Sequence, residues 1–151
     1  MRDSLVRMGR RLLGTAFAVL AGFAMTACSS SSTDGGGGST TVVGTLTLPA
    51  AAAGRPYAVL VDNDKNGDNG TIGEASGTCG SDTEQAYTIN NVPAGTYYVY
   101  AAVGVVSNLQ QGPQSGDYYG FYGTGGSVPG SPNATVPSSG TETFNITLVV
   151  M

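Results

Sequence analysis

Residues 85–103 read QAYTINNVPAGTYYVYAAV, two runs of strand-forming residues joined by Pro93-Ala94-Gly95. Tyr, Val, Ile and Thr dominate both runs, the residue types that fit a pleated, half-buried surface. In 85–92, Tyr87 and Ile89 point to one side, and Val92 is read as joining them. In 96–103, Tyr97 and Val99 point one way and Tyr98 and Tyr100 the other. Pro93 fixes φ and Gly95 supplies a permissive backbone, so the two runs are expected to be strands meeting at a tight turn.

Outward from this pair the period of two continues. Residues 41–48 (TVVGTLTL) place Val42, Leu46 and Leu48 on one face and Val43, Thr45 and Thr47 on the other. Residues 57–61 (YAVLV) form a more buried strand. Short strands are expected at 118–122 and 134–136. Residues 141–150 (TETFNITLVV) close the chain with Phe144, Ile146 and Leu148 on one face. About seven strands, Gly/Pro/Asn turns and no helix signal predict an all-β fold, a single antiparallel β-sandwich over 41–151. The 24 Gly, the 8 Tyr and the lack of any Ala/Leu/Glu/Lys-rich run agree.

Ahead of the sandwich the chemistry changes. Arg2, Arg7, Arg10 and Arg11 precede or open an apolar run at 12–24 (LLGTAFAVLAGFA), and small residues follow it. This is the layout of a secretory signal peptide, expected over 1–27. The run is shorter than the roughly 20 apolar residues of a membrane span, and an uncleaved anchor is the competing reading. The Arg10-Arg11 pair lacks the rest of a twin-arginine signal, which favours ordinary secretion.

Met25-Thr26-Ala27-Cys28 resembles the bacterial lipobox, with Met25 where that family usually has Leu, Val or Ile. In the family the Cys thiol takes a diacylglycerol and a peptidase cleaves before it; the chemistry needs a thiolate nucleophile. The resemblance implies that Cys28 is lipidated and begins the mature protein. Residues 28–40 then form a Ser/Gly tether with nothing to bury, spanning about 20 Å as a flexible coil. Similarity to lipoproteins also implies a lipid-anchored place in the cell envelope. Ser29 after the Cys points to the outer membrane, periplasmic or surface-facing.

Splitting the charge at Cys28 is informative. The whole chain carries −4, but nine acids and only two bases, Arg55 and Lys65, follow Cys28, a side-chain balance of −7. Such a chain repels nucleic acid and anionic headgroups and suits cations. Nucleic acid is therefore excluded as a partner.

Val43-Gly44-x-Leu46, the strand 57–61 and the stretch 87–99 (YTINNVPAGTYYV) together resemble the carboxypeptidase regulatory-like, transthyretin-type sandwich. In that family a strand ending I-x-N-V-P-A-G-T-Y turns tightly into the next. The resemblance implies a fold and an accessory, stalk or adhesive role, without a reaction.

The densest chemistry lies in Asp62-Asn63-Asp64-Lys65-Asn66-Gly67-Asp68-Asn69-Gly70. Oxygen side chains at alternate positions, with Gly where the loop bends, are what Ca²⁺ requires. The start matches the EF-hand loop, D-x-D-x-N-G, but the twelfth position is Gly73 and no helix signal flanks it. The expected ligands are Asp62, Asp64, Asn66 and Asp68, with Asp117 completing the shell from across the sandwich. A solvated Asn/Asp/Gly turn is the plainer reading.

Tyr118, Tyr119, Phe121 and Tyr122 crowd a Gly-rich stretch. Exposed, they would offer flat contact surface to a sugar or a peptide; as a strand they would fill the core. Cys79 is left unpaired if Cys28 is lipidated, and a Cys28–Cys79 disulfide is the alternative. The chain has no His to serve as a base, no zinc-type ligand cluster and no Ser nucleophile elbow, so no catalytic residues are expected. The sequence thus reads as a non-enzymatic, lipid-anchored envelope module, structural or adhesive, with a calcium-binding loop. The alternative is an accessory protein that binds an envelope protein, peptide or glycan through residues 118–122.

Overall fold

A computed structural model describes residues 39–65, 70–104 and 114–151, all within the unit Asp34–Met151. The predicted signal peptide, Cys28 and residues 29–38 of the tether expected over 28–40 lie outside the described residues, as do Asn66 and Asp68; Ser39 and Thr40, expected in that tether, belong instead to the first strand. The described residues are all-β and contain no helix. The strands are β1 (Ser39–Thr47), β2 (Pro56–Asp62), β3 (Gly73–Thr78), β4 (Glu84–Pro93), β5 (Gly95–Val103), β6 (Tyr118–Phe121), β7 (Ala134–Val136), β8 (Gly140–Thr143), β9 (Ile146–Thr147) and β10 (Val149–Val150).

They form the predicted sandwich. One sheet runs β4-β1-β8, with β9 also on β1; the other runs β10-β6-β5-β2-β3, with β7 on the first part of β5. The 85–103 segment spans both sheets: β4 lies in the first, β5 in the second, and Ala94 is the turn between them. The Tyr97 hydroxyl donates back to the Pro93 and Ala94 carbonyls, at 3.2 and 3.4 Å, and so fastens the turn.

Ile89 and Val92 are three residues apart, and in a regular strand they would face opposite sides. Both are buried. The pairing of β4 with β1 shifts register between Thr40 and Val42, so Asn90 and Asn91 together oppose Thr41. This bulge resets the phase of the strand. Asn91 takes φ 60°, a left-handed conformation that Asn tolerates well.

The strand expected over 141–150 is broken into three. β8 and β9 run along β1 in one continuous register, Thr41 beside Thr141 and Thr47 beside Thr147, and this pairing is parallel where the rest of the sandwich is antiparallel. At the break the Asn145 side chain replaces the backbone: its Oδ1 accepts the Thr45 N–H at 3.0 Å. Beyond Leu148 the chain changes sheets, and β10 pairs with β6. The alternation nevertheless holds, and Phe144, Ile146 and Leu148 are all buried. β3 (GEASGT) was not foreseen, because small polar residues carry no hydrophobic period. It forms because β2 offers it an edge. Gly73 lies against Ile89, and Gly77 lies against the Tyr57 ring, where larger side chains would collide.

The core lies between the sheets and is mostly Val, with Leu46 and Ile146 among its fully buried members. At its centre Tyr87 crosses over Gly44, its register partner on β1, and donates its hydroxyl to the Phe144 carbonyl at 2.5 Å. A Cβ on Gly44 would collide with that carbonyl oxygen and the Tyr87 ring. Gly44→Ala is therefore expected to cost about 2–3 kcal/mol by overpacking. Tyr87→Phe should cost about 1–2 kcal/mol by removing a buried hydrogen bond. Urea denaturation read by circular dichroism checks both.

Candidate functional site

The sandwich has two ends, and the predicted site residues divide between them. The chain enters at Ser39, beside Pro93, and Asp62 lies at the corresponding end of β2, opposite Tyr98. Asp62 is fully buried although it points away from the inter-sheet core, because Val61 before it points inward. Its Oδ1 accepts the Asp64 N–H at 3.2 Å, closing a turn at the start of the loop, and its Oδ2 accepts the Tyr100 hydroxyl at 3.3 Å. Asp62 and Asp64 are thus brought together.

Asp117 is not brought to them. Tyr118 pairs with Val103, whereas Asp62 pairs with Tyr98, five residues back along β5. At the rise of an extended chain that is about 16 Å. The register of β5 therefore sets Asp117 apart from Asp62, a placement that sequence spacing cannot reveal. Asp117 has a different task. It is buried, its Oδ2 accepts the Gln114 N–H at 2.7 Å, and its backbone N–H donates to the Gln114 carbonyl. Its own carbonyl accepts the Met151 N–H.

Arg55 organises this second end. Its Nε donates to the Gly104 carbonyl at 3.0 Å and its Nη2 to the Gly116 carbonyl at 2.8 Å, so one guanidinium holds both flanks of the β5–β6 connection. The same group lies 4.4 Å over the Tyr118 ring. Its backbone carbonyl accepts the Cys79 N–H. Cys79 is buried. Burial pushes its thiol above the ordinary value of 9.0, and the nearby Arg55 charge opposes that shift. Burial, with Tyr122 adding to it, likewise raises the Tyr87 phenol above 10.0.

The four crowded aromatics separate by strand alternation. Tyr118 and Tyr122 face the core, Tyr118 under Arg55 and Tyr122 edge-on to Phe144 with ring centroids 4.7 Å apart. Gly120 between them lies against Leu148. Tyr119 and Phe121 point to the outer face of the six-stranded sheet, opposite Ala102 and Tyr100. Of the two readings of 118–122, core filling describes Tyr118 and Tyr122, while Tyr119 and Phe121 face outward, where Phe121 is itself buried. What the outer face gains instead is Leu60, Tyr98 and Tyr100. The alternation of 96–103 signals Tyr98 and Tyr100, but their juxtaposition with Phe121 and Leu60 comes from non-local pairing. The Tyr100 and Phe121 rings lie 5.3 Å apart, tilted by 35°.

The outer face of the other sheet is unlike it. Thr41, Val43, Thr45 and Thr47 of β1 share that face with Glu84, Ala86, Thr88 and Asn90 of β4 and with Thr141 and Thr143 of β8. Among the described residues no cluster of three or more His, Cys, Asp or Glu is placed to hold a metal ion. Comparison of the chain with protein-family models, curated proteins and solved structures finds no match. Fold and surface alone therefore define the class: a small two-sheet sandwich with a threonine-rich face and an aromatic face.

The raised values for Cys79 and Tyr87 set a pH dependence. A group whose folded value lies above its unfolded one stabilises fully below the unfolded value and loses that contribution as pH rises. The urea midpoint is therefore expected to fall from about pH 8.5 upward for Cys79 and from about pH 10 for Tyr87. The combined Cys79→Ala and Tyr87→Phe variant should show a flatter profile over the same range.

Proposed function

We propose that this chain is an exported, lipid-anchored and non-enzymatic β-sandwich module of the cell envelope, structural or adhesive in role, with an acidic loop that takes calcium. The observation that carries the reading is the order of the chain. An export signal, a lipobox-like Cys28 and a Ser/Gly run end at Gly38, and β1 begins at Ser39. A Ser/Gly-rich run directly ahead of a folded unit is what an anchored module requires. The tight β4–β5 turn fastened by Tyr97 supports the resemblance to transthyretin-type sandwiches. Ser29 supports delivery to the outer membrane.

For calcium, the support is the shared turn of Asp62 and Asp64 and the acidic balance of the mature chain. Exported modules bind Ca²⁺ at about 10⁻⁴–10⁻³ M. At such an affinity, roughly 10 mM Ca²⁺ should stabilise the wild-type chain by about 1.5–2.5 kcal/mol through mass action. Asp64→Ala should lose most of that gain. A wild-type melting temperature indifferent to Ca²⁺ ends the calcium part of the proposal. Intact-mass analysis of the membrane-extracted protein tests the anchor. The expected mature N-terminus is a diacylated Cys28; an unmodified Cys28 disulfide-bonded to Cys79 overturns it.

A further inference from the structure

The outer face of the four-stranded sheet is set by the registers of β1. Its cross-strand rows run from β4 over β1 to β8 and β9, and every row carries at least one threonine. The row near its middle reads Thr88, Val43, Thr143. The row at one end reads Glu84, Thr47, Thr147, and Glu84 is the one ionisable side chain in these rows. Thr88, Thr143 and Thr147 are exposed, while Val43 and Thr45 between them are half-buried. Neighbouring positions of such a face stand about 4.8 Å apart across the strands and about 6.7 Å apart along them. The face is thus a short lattice of hydroxyls around a small aliphatic centre.

We infer that this face binds a neutral, extended glycan chain, laid along β1 with a sugar ring over Val43 and its hydroxyls between the flanking threonines. A threonine hydroxyl both donates and accepts, as a sugar hydroxyl does, so either can meet the other in either sense. The Val43 side chain and the threonine methyls offer the C–H face of the ring an apolar contact. Charge selects a neutral ligand. The chain after Cys28 has a side-chain balance of −7, yet this face holds a single carboxylate at its edge. An anionic chain is repelled by the field of the whole domain, and a cationic one is drawn to the acids elsewhere. A hydrogen bond exchanged with water gains little, so one sugar is held weakly and a ligand must meet several hydroxyls at once. Twist argues against a rigid crystal plane such as ice, because adjacent strands rotate by about 20–25° and carry their hydroxyls out of one plane. A chain that turns at its linkages follows a single strand. A second copy would set hydroxyls against hydroxyls between two chains of like charge.

The inference rests on the adhesive side of the proposed function and deepens it. The two fail separately: a flat glycan titration leaves the mass of the N-terminus and the calcium response untouched, and an unmodified Cys28 leaves glycan binding as it was. The probes are hexamers of β-1,4-linked glucose and of β-1,4-linked mannose, titrated calorimetrically into the mature protein at about 0.15 M salt, where exposed charges are screened. Hexamers of galacturonic acid and of glucosamine serve as the anionic and cationic controls. At least one neutral hexamer is expected to bind, and more tightly than either charged one. Thr88→Val combined with Thr143→Val should weaken it about tenfold by removing two hydroxyls from the middle row. That exchange keeps the side-chain shape and suits a strand, so the fold survives it. Thr88→Ser combined with Thr143→Ser, which restores the hydroxyls, should bind within about twofold of wild type. Tyr119→Ala, on the outer face of the other sheet, should change nothing. Five results would overturn the proposal. They are no binding of either neutral hexamer, equal or tighter binding of a charged one, full affinity in the valine pair, an equal loss in Tyr119→Ala, and a heat that reports only dimerisation.

Discussion

Gly44 has no side chain because the Tyr87 ring and the Phe144 carbonyl occupy the space where one would go. That crossing joins three segments far apart in the chain. β1 supplies the gap, β4 supplies the ring that covers it, and the break between β8 and β9 supplies the carbonyl that accepts the Tyr87 hydroxyl. A buried carbonyl away from a regular ladder needs a donor, and a buried phenol needs an acceptor, so each resolves the other's cost. The Phe144 ring then meets Tyr122 edge-on and ties this sheet to the one that carries β6. The one arrangement thereby links β1, β4, the β8–β9 segment and the residue after β6.

The sandwich uses its few charges in two ways. Arg55 is spent inside the fold, on two carbonyls and the face of Tyr118. A guanidinium suits this because it is planar, offers several donors in a fixed fork and is weakly hydrated. Asp62, in contrast, is enclosed at the opposite end, by the turn it makes with Asp64 and by Tyr100. One end is thereby tied together by a cation, and the other buries a carboxylate against a tyrosine hydroxyl.

Much of the fold was legible because alternation is a local property. Val42, Leu46 and Leu48 share a buried face with the period read from TVVGTLTL, and Phe144, Ile146 and Leu148 keep theirs through two breaks in the strand. Val92 was read as joining Tyr87 and Ile89, but the bulge at Asn90-Asn91 that puts it there was not foreseen. β3 was not, because Gly, Ser, Ala and Thr carry no apolar period and this strand depends on the edge that β2 presents. Of the candidate site, the adjacency of Asp62 and Asp64 was legible from two-residue spacing. The place of Asp117 was not, because its distance from Asp62 depends on which residue of β5 each strand end pairs with.

The sequence by itself determined an all-β sandwich, the alternating faces of residues 41–48, 85–92, 96–103 and 141–150, the turn at residues 93–95 and the acidity of the chain after Cys28. These are fixed by side-chain size, backbone preference and charge, which act over a few residues or simply add. Only the tertiary structure decided that β8 and β9 run parallel to β1, that Arg55 holds both flanks of the β5–β6 connection, and that Tyr119 and Phe121 part from Tyr118 and Tyr122 to join Leu60, Tyr98 and Tyr100. Each of these depends on pairings between residues tens of positions apart, and such pairings are selected by the packing of the whole core rather than by any one segment.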